Sequence, residues 1–406
     1  MAIRREGDPT MPWGMTLDDS VAPPIVWMGG DRGSLLRITQ QEGEFRAKNL
    51  STDRYGDLGF VGIEVDRFRR DKEIYMRENG GGNWLRFSEA TGEFERVNCP
   101  GTGGSAGTCI VPGPGGTLYA PAWPYHLKRY DRRGKPLPWV GGIKSYPAST
   151  PTSRGNTEEP KPASNGLFVP VSMVYMTHTF GVRHDGNFFV FQSKYPRARP
   201  PKKLIEFTPD GKRVSDTPII WKVSDTAVGP KFDQQGNIYI AEQVKPADQL
   251  YPTDFDEYFA AENREPERRA AATMYGSIVK FSPKGGMFDF EGSANPFDGE
   301  PQLDPSLRKV AAVSCEYGRP KPASITGALW SKMGISHVAL HYCNCENTRY
   351  DVDEFGRVWY PDLNRFRVCV LDTDGNEITH FGGYGNTDNR GPDSDKPLSE
   401  PDIPLG

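Results

Sequence analysis

The 406-residue chain is poor in several things at once. It has six cysteines, too few for a disulfide scaffold, though compatible with one to three bridges in an exported protein. No C-x-x-C-H occurs, which argues against covalent c-type haem. Charge of one sign is not in excess: the formal net charge is -4, so the composition predicts neither a nucleic-acid partner nor a membrane surface. No apolar run reaches about 18 residues, the length of a membrane-spanning helix. No charged-then-apolar leader opens the sequence, which leaves the compartment undecided on that ground. Glycine and proline, by contrast, are abundant at 45 and 36 residues. Aromatic and aliphatic residues are spread throughout, so this richness points to many turns in an all-β protein rather than to a disordered tract.

Internal repeats account for those turns. The segments "CIVPGPGGTLYAPA" (109–122), "FGVRHDGNFFVFQ" (180–192), "GPKFDQQGNIYIAE" (229–242) and "RYDVDEFGRVWYPD" (349–362) each read as alternating strand, tight glycine turn and second strand. A third strand and a second turn follow each: "HLKRYDRRGK", "KLIEFTPDGK", "SIVKFSPKGG" and "FRVCVLDTDGNEI". Weaker copies begin at Ile25 and Glu73. A four-stranded antiparallel blade has two apolar faces and cannot bury both alone. Blades arranged radially can, which is how a propeller removes exposed edges.

The run "DVDEFGRVWYPDLNRFRVCVLDTDGNEI" carries the sharpest motif. It resembles the NHL-repeat family of six-bladed propellers, whose second strand ends in a Tyr-Val-Ala-Asp, Asn, Arg run similar to "YPDLNRFRV". The resemblance extends with gaps over residues 25–380. It implies a six-bladed β-propeller of four-stranded antiparallel blades and leaves function open, because such propellers include scaffolds, binding modules and lyases. The expected organisation is an N-terminal extension (1–24) able to close the ring, a propeller (25–386) and a C-terminal tail (387–406).

Within a blade, the first and third turns lie on one face. The second loops and the crossovers to the next blade lie on the other. The long excursions at 138–176, 243–275 and 287–347, and the loop "SKYPRARPPKK", all read as belonging to the second face. Loops of that length are usually functional, so this insert-bearing face is the expected binding face. "TDFDEYFAAENREPERRAAATM", "DPSLRKVAAVS" and "SITGALWSKMG" read as helical pieces of the inserts.

Candidate binding residues on that face are His178, Arg77, Trp123, Tyr195, Glu242, Arg349 and Asp362. Mixed polar groups with aromatic neighbours suit a glycan, a peptide or a polar small molecule. His178, at a strand start near the pore, is a candidate metal ligand or base, weighed against an imidazole simply bonded to backbone. By the resemblance, an aspartate placed like Asp362 braces the adjoining loop.

The cysteines divide into three groups. Cys369 in "RVCVL" reads as a core thiol. Cys99 and Cys109 flank a glycine-rich loop that a disulfide would close, and Cys315 with Cys343 or Cys345 would staple the last insert. A metal reading instead groups His341, Cys343 and Cys345 with His178, His337 or Cys315; the H-x-C-x-C spacing is no standard finger, and disulfide use is preferred. No cofactor is fixed by the sequence; zinc and calcium are the two weighed.

A binding or scaffold propeller, holding a glycan, peptide or partner protein within a larger assembly or outside the cytoplasm, is therefore the leading expectation. A metal-dependent pore enzyme is the alternative. The NHL-like lyases imply three pore histidines from different blades; here only His178 is well placed, with His341 or His337 from the insert. A calcium-dependent hydrolase would draw on Asp225, Glu242, Glu346 and Asp362.

Overall fold

The structure, a computed structural model, describes residues 12–30, 34–50, 60–78, 84–100, 110–122, 126–144, 165–171, 180–192, 202–224, 227–248, 276–291, 301, 303–315, 320–335, 350–362, 365 and 367–383. Among these, the regular elements are strands, with 3₁₀ geometry at Pro114–Gly116 and at Arg365.

The first sheet holds β1 (Pro12–Asp18), β2 (Ile25–Gly30), β3 (Leu35–Gln41) and β4 (Glu44–Asn49), in that spatial order. The second repeats it with β5 (Phe60–Val65), β6 (Glu73–Glu78), β7 (Trp84–Ser88) and β8 (Glu93–Val97). The third is built from β9 (Val111–Gly113), β10 (Thr117–Ala122), β11 (His126–Asp131) and β12 (Pro136–Leu137), with β13 (Val169–Pro170) also pairing β11. Next come β14 (Phe180–Val182), β15 (Phe188–Gln192), β16 (Lys202–Phe207) and β17 (Ile220–Val223). A further sheet has β18 (Val228–Phe232) and β19 (Ile238–Glu242), then, past β20 (Val244–Pro246), β21 (Gly276–Phe281). The chain leaves it through β22 (Gly286–Phe290), β23 (Lys309–Ser314) and β24 (Lys321–Thr326), and β25 (Ala328–Ile335) returns as its fourth strand. The last sheet is β26 (Asp351–Val352), β27 (Val358–Asp362), β28 (Arg367–Leu371) and β29 (Glu377–Phe381).

The innermost strands touch in a closed order: β1 meets β5, β5 meets β9, β9 meets β14, β14 meets β18, β18 meets β26, and β26 returns to β1. This is an all-β propeller with four-stranded antiparallel blades. Period-2 alternation makes it cohere. In β19, Ile238 and Ile240 enter the cluster shared with Phe189 and Leu204 of the preceding sheet, whereas Tyr239 and Ala241 enter the one shared with Val352 and Tyr360 of the following sheet. Met15, Leu17, Val26 and Met28 pack on Trp359, Val368 and Val370, joining first and last sheets through side chains. Burying each such side chain contributes about 1.5–3 kcal/mol.

The turns follow one recipe. Asp233 Oδ1 accepts the backbone N–H groups of Gln235 (3.0 Å) and Asn237 (2.9 Å), and Gly236 supplies the positive φ of 76°. Asp353 does the same for Phe355 and Arg357 around Gly356.

The expectation of six equal four-stranded blades is corrected. Five sheets stand as separate blade-sized units, while the strands β14–β17 continue into an eight-stranded composite, ordered β14-β15-β16-β17-β22-β24-β23-β20. The junction is the parallel pairing of Ile220 and Trp221 with Gly286 and Met287. The helical insertions are corrected too. "RKVAAVS" forms β23 because its backbone pairs on both sides, with β20 and β24, and "SITGALWSKMG" splits at Gly327 into β24 and β25. Much of 287–347 therefore interrupts a blade between its third and fourth strands rather than linking two blades. The helix expected within 243–275, and the tail 387–406, lie outside the described residues. Residues 12–18, within the expected N-terminal extension, are the innermost strand of the first sheet.

Candidate functional site

The inner strands surround a cavity of ≈ 300 Å³. Its wall takes Glu64, Arg67 and Phe68 from β5 and its turn, Val111 and Pro112 from β9, Phe180–Val182 from β14, Gly229–Gln234 from β18 and its turn, and Val352–Glu354 from β26 and its turn. Asp19, Ser20, Lys72 and His184 lie at the rim. These rim residues belong to the first turns of the blades, so the cavity lies on the face opposite the insert-bearing one.

One register position organises the wall. Counting two residues back from Asp18, Asp66, Gly113, Arg183, Asp233 and Asp353 gives Thr16, Glu64, Val111, Gly181, Lys231 and Asp351. Four of these six form a buried polar cluster. Asp351, fully buried, accepts the Thr16 hydroxyl (2.9 Å), the Leu17 N–H (2.8 Å) and an Arg67 Nη (2.6 Å) on Oδ2, and its own neighbour Val352's N–H (2.9 Å) on Oδ1. Lys231 Nζ donates to Glu64 Oε1 at 2.6 Å and lies 3.4 Å from Asp351 Oδ1. Thr16 also accepts the Val65 N–H at 3.3 Å. Two carboxylates face two cations, so the cluster is neutral as a unit.

Environment separates the two acids. Burial pushes the Glu64 carboxyl upward, and Lys231 only partly opposes this. Burial acts the same way on Asp351, but Arg67, Lys231 and two backbone N–H groups outweigh it and hold that carboxyl below its ordinary value. Lys231 is held above its ordinary value: burial pulls it down, and Asp351 and Glu64 together more than restore it. The result is an anchor, Asp351, that holds its charge to lower pH than an ordinary aspartate, behind a more readily protonated Glu64 that borders open space.

The other part of the wall is apolar. Val111, Pro112, Phe180 and Val182 line it, and Gly181 presents no side chain because a Cβ there would lie 2.1 Å from the Pro230 carbonyl oxygen.

The residues expected on the insert-bearing face divide sharply. His178, Trp123, Tyr195 and Arg349 lie outside the described residues, as do Asp225, His337 and Glu346 and the proposed metal set His341, Cys343 and Cys345. Glu242, Asp362 and Arg77 are described and buried. Glu242 accepts the N–H (2.8 Å) and hydroxyl (2.5 Å) of Ser224, bracing the connection from β17. Asp362 accepts Arg365 Nη1 at 2.8 Å. Arg77 lies 5.3 Å from the Trp84 ring centroid. None of these contacts joins one of the three to another.

Of the cysteines expected in disulfides, Cys99 and Cys315 are among the described residues. Cys99, Cys315 and Cys369 are all buried. Cys99 packs among Tyr75, Trp84, Ile110 and Tyr130, and burial pushes its thiol up to about 12. Cys315 is raised to about 12 for the same reason. Their expected partners, Cys109 for the first and Cys343 or Cys345 for the second, lie outside the described residues. Among the described residues no cluster of three or more His, Cys, Asp or Glu could hold a metal ion, and no helix is long and apolar enough to cross a membrane.

Fold and site together define a propeller with a polar-apolar central cavity. No family model matches the chain, and no curated protein matches it. Solved structures do resemble it. Virginiamycin B lyase from Staphylococcus aureus aligns with a TM-score of 0.41 and 10% identity, covering 93% of this chain and 86% of that one. The nidogen/laminin complex gives 0.44 and 11%, covering 87% and 91%. A PQQ-bound aldose sugar dehydrogenase from Streptomyces coelicolor gives 0.38 and 12%, covering 82% and 98%. Likeness this distant carries no argument about this chain.

Proposed function

We propose that the protein is an NHL-like binding propeller that receives a neutral, polar group in its central cavity, the terminal sugar of a glycan. The supporting observation is the wall: Glu64, Arg67 and Lys231 line it, compensated from behind by the buried Asp351, beside an apolar surface of Val111, Pro112, Phe180 and Val182. A compensated cluster gains nothing from a ligand's net charge but offers several donors and acceptors. A sugar matches it, with hydroxyls at its edge and C–H groups on one face. A cavity of ≈ 300 Å³ suits one such residue. A peptide or partner protein is the competing occupant, and β14–β17 serve as the sixth blade of the ring in this reading.

The test is calorimetric titration of glycans drawn from an array. Saturable binding of a neutral glycan is expected, weakened about tenfold or more by Glu64→Gln, which keeps shape but removes a charged acceptor. Binding indifferent to Glu64→Gln, or binding only of peptides, would overturn the proposal.

A second reading has one specific support. Glu64, raised by burial and bordering the cavity beside Lys231, has the character of a general acid or base. A pore enzyme, lyase or hydrolase, would show glycan turnover that Glu64→Gln abolishes. Turnover surviving chelation would remove the zinc or calcium requirement from that reading.

A further inference from the structure

A different cavity, ≈ 220 Å³, lies at the outer edge of the third sheet. It owes its existence to the way β11 is covered. β13 stands opposite its start, with Pro170 facing His126 and Val169 facing Leu127. β12 stands opposite its end, with Leu137 facing Arg129 and Pro136 facing Tyr130. Lys128 lies opposite neither, and the pocket occupies that interval. Leu127, Leu137, Leu167 and Trp139, with three prolines, make its surface mostly apolar; Lys128 and Arg129 are cations, and no acidic side chain lines it.

His126 lines this pocket and is 97% buried, yet neither ring nitrogen has a hydrogen-bond partner among the described residues. Burial, with Lys128 second, pushes the imidazole down to about 4, so at neutral pH it is uncharged and carries one N–H. Leaving such a group unpaired is costly in a folded core. A purely structural position would be served better by phenylalanine. Nearby, Arg129 is steadied over the Trp139 ring, 5.4 Å from its centroid, and its Nη1 donates to the Pro138 carbonyl at 3.3 Å.

We propose that this pocket is a second ligand site, specific for a small, mostly apolar monocarboxylate, with the carboxylate accepting the His126 N–H beside Lys128 and Arg129 and the hydrocarbon body lying against Trp139 and the prolines. The buried unpaired imidazole supplies the hydrogen bond, the two cations supply the sign of the charge, and the apolar wall supplies the rest of the affinity.

Benzoate is the probe, and the His126 ring signals in NMR, assigned by their loss in His126→Phe, are the readout. Saturable shifts are expected, with a dissociation constant on the order of a millimolar or tighter. Bound benzoate should also raise the His126 titration midpoint, because a carboxylate stabilises the imidazolium. His126→Phe should lose binding at least about tenfold, and Arg129→Met should weaken it less. Should His126→Phe fail to fold, the ring signals are assigned by through-bond NMR correlations in the wild type, and its titration decides. No saturable shift, unchanged affinity in His126→Phe, or equal binding of benzyl alcohol would each overturn the assignment.

Discussion

Two parts of the cavity wall are built on the same backbone and differ in almost everything else. Thr16, Glu64, Lys231 and Asp351 occupy one register position in four inner strands; Val111 and Gly181 occupy it in the other two. The first group is tied across blades by hydrogen bonds and ion pairs spanning up to 335 residues of chain. The second is held by packing, with Gly181 against Pro230. The repeat thus supplies six equivalent positions, and local chemistry decides what each does. Cross-blade polar ties are thus concentrated in one part of the layer and packing in the other.

The comparison breaks most visibly at Asp351. Replacing it by alanine removes the fully buried acceptor for Thr16, Leu17 and Arg67 and leaves the partly buried cations Arg67 and Lys231 undercompensated. A loss of about 3–5 kcal/mol in urea unfolding is expected. The pH dependence follows from the sign of each shift. Asp351 is depressed, so its contribution is present above the ordinary value of 3.8 and is lost as pH falls through its lower folded value. Glu64 is raised, so its contribution is full below 4.5 and is lost as pH rises through its higher folded value. Asp351→Ala should therefore flatten the acid limb of stability against pH, and Glu64→Gln the limb above about 4.5.

The blades were legible in the sequence and the layer was not. Glycine turns with alternating flanks mark strands, because turn chemistry and period-2 burial are local. Attention to strand starts led to His178 and Arg349 and past Glu64, Lys231 and Asp351. Counting back five residues from Gly236 and Gly356 reaches Lys231 and Asp351, so a signal existed. What no spacing reveals is that Asp351 meets Thr16 and Arg67, since that follows from ring closure. The same limit applies to β23: Ala-rich "KVAAVS" suits a helix until β20 and β24 offer their edges. The burial of Cys99 was equally hidden, because flanking a glycine-rich loop says nothing of packing.

Gly181→Ala probes the apolar part. Its Cβ would sit 2.1 Å from the Pro230 oxygen, a backbone atom that cannot rotate away, so β14 and β18 must separate. A loss of about 1–3 kcal/mol is expected, without change in the acid limb, because no titratable group is touched. A loss of the acid limb as well would mean that the two parts of the layer are mechanically coupled.

The smallest effect is the most discriminating. Thr16→Val conserves shape and removes a hydroxyl that serves both neighbours of β1, donating to Asp351 and accepting from the Val65 N–H. About 1–2 kcal/mol should be lost, mostly from the buried N–H and carboxylate left short of a partner. Combined with Asp351→Ala, the loss should fall short of the sum by at least about 0.5 kcal/mol, since both changes break one network. Combined with Gly181→Ala, the two losses should add, because the sites share no partner. If Thr16→Val instead adds to Asp351→Ala and couples to Gly181→Ala, the layer works as one packed ring, and its division into a polar and an apolar part has no energetic meaning.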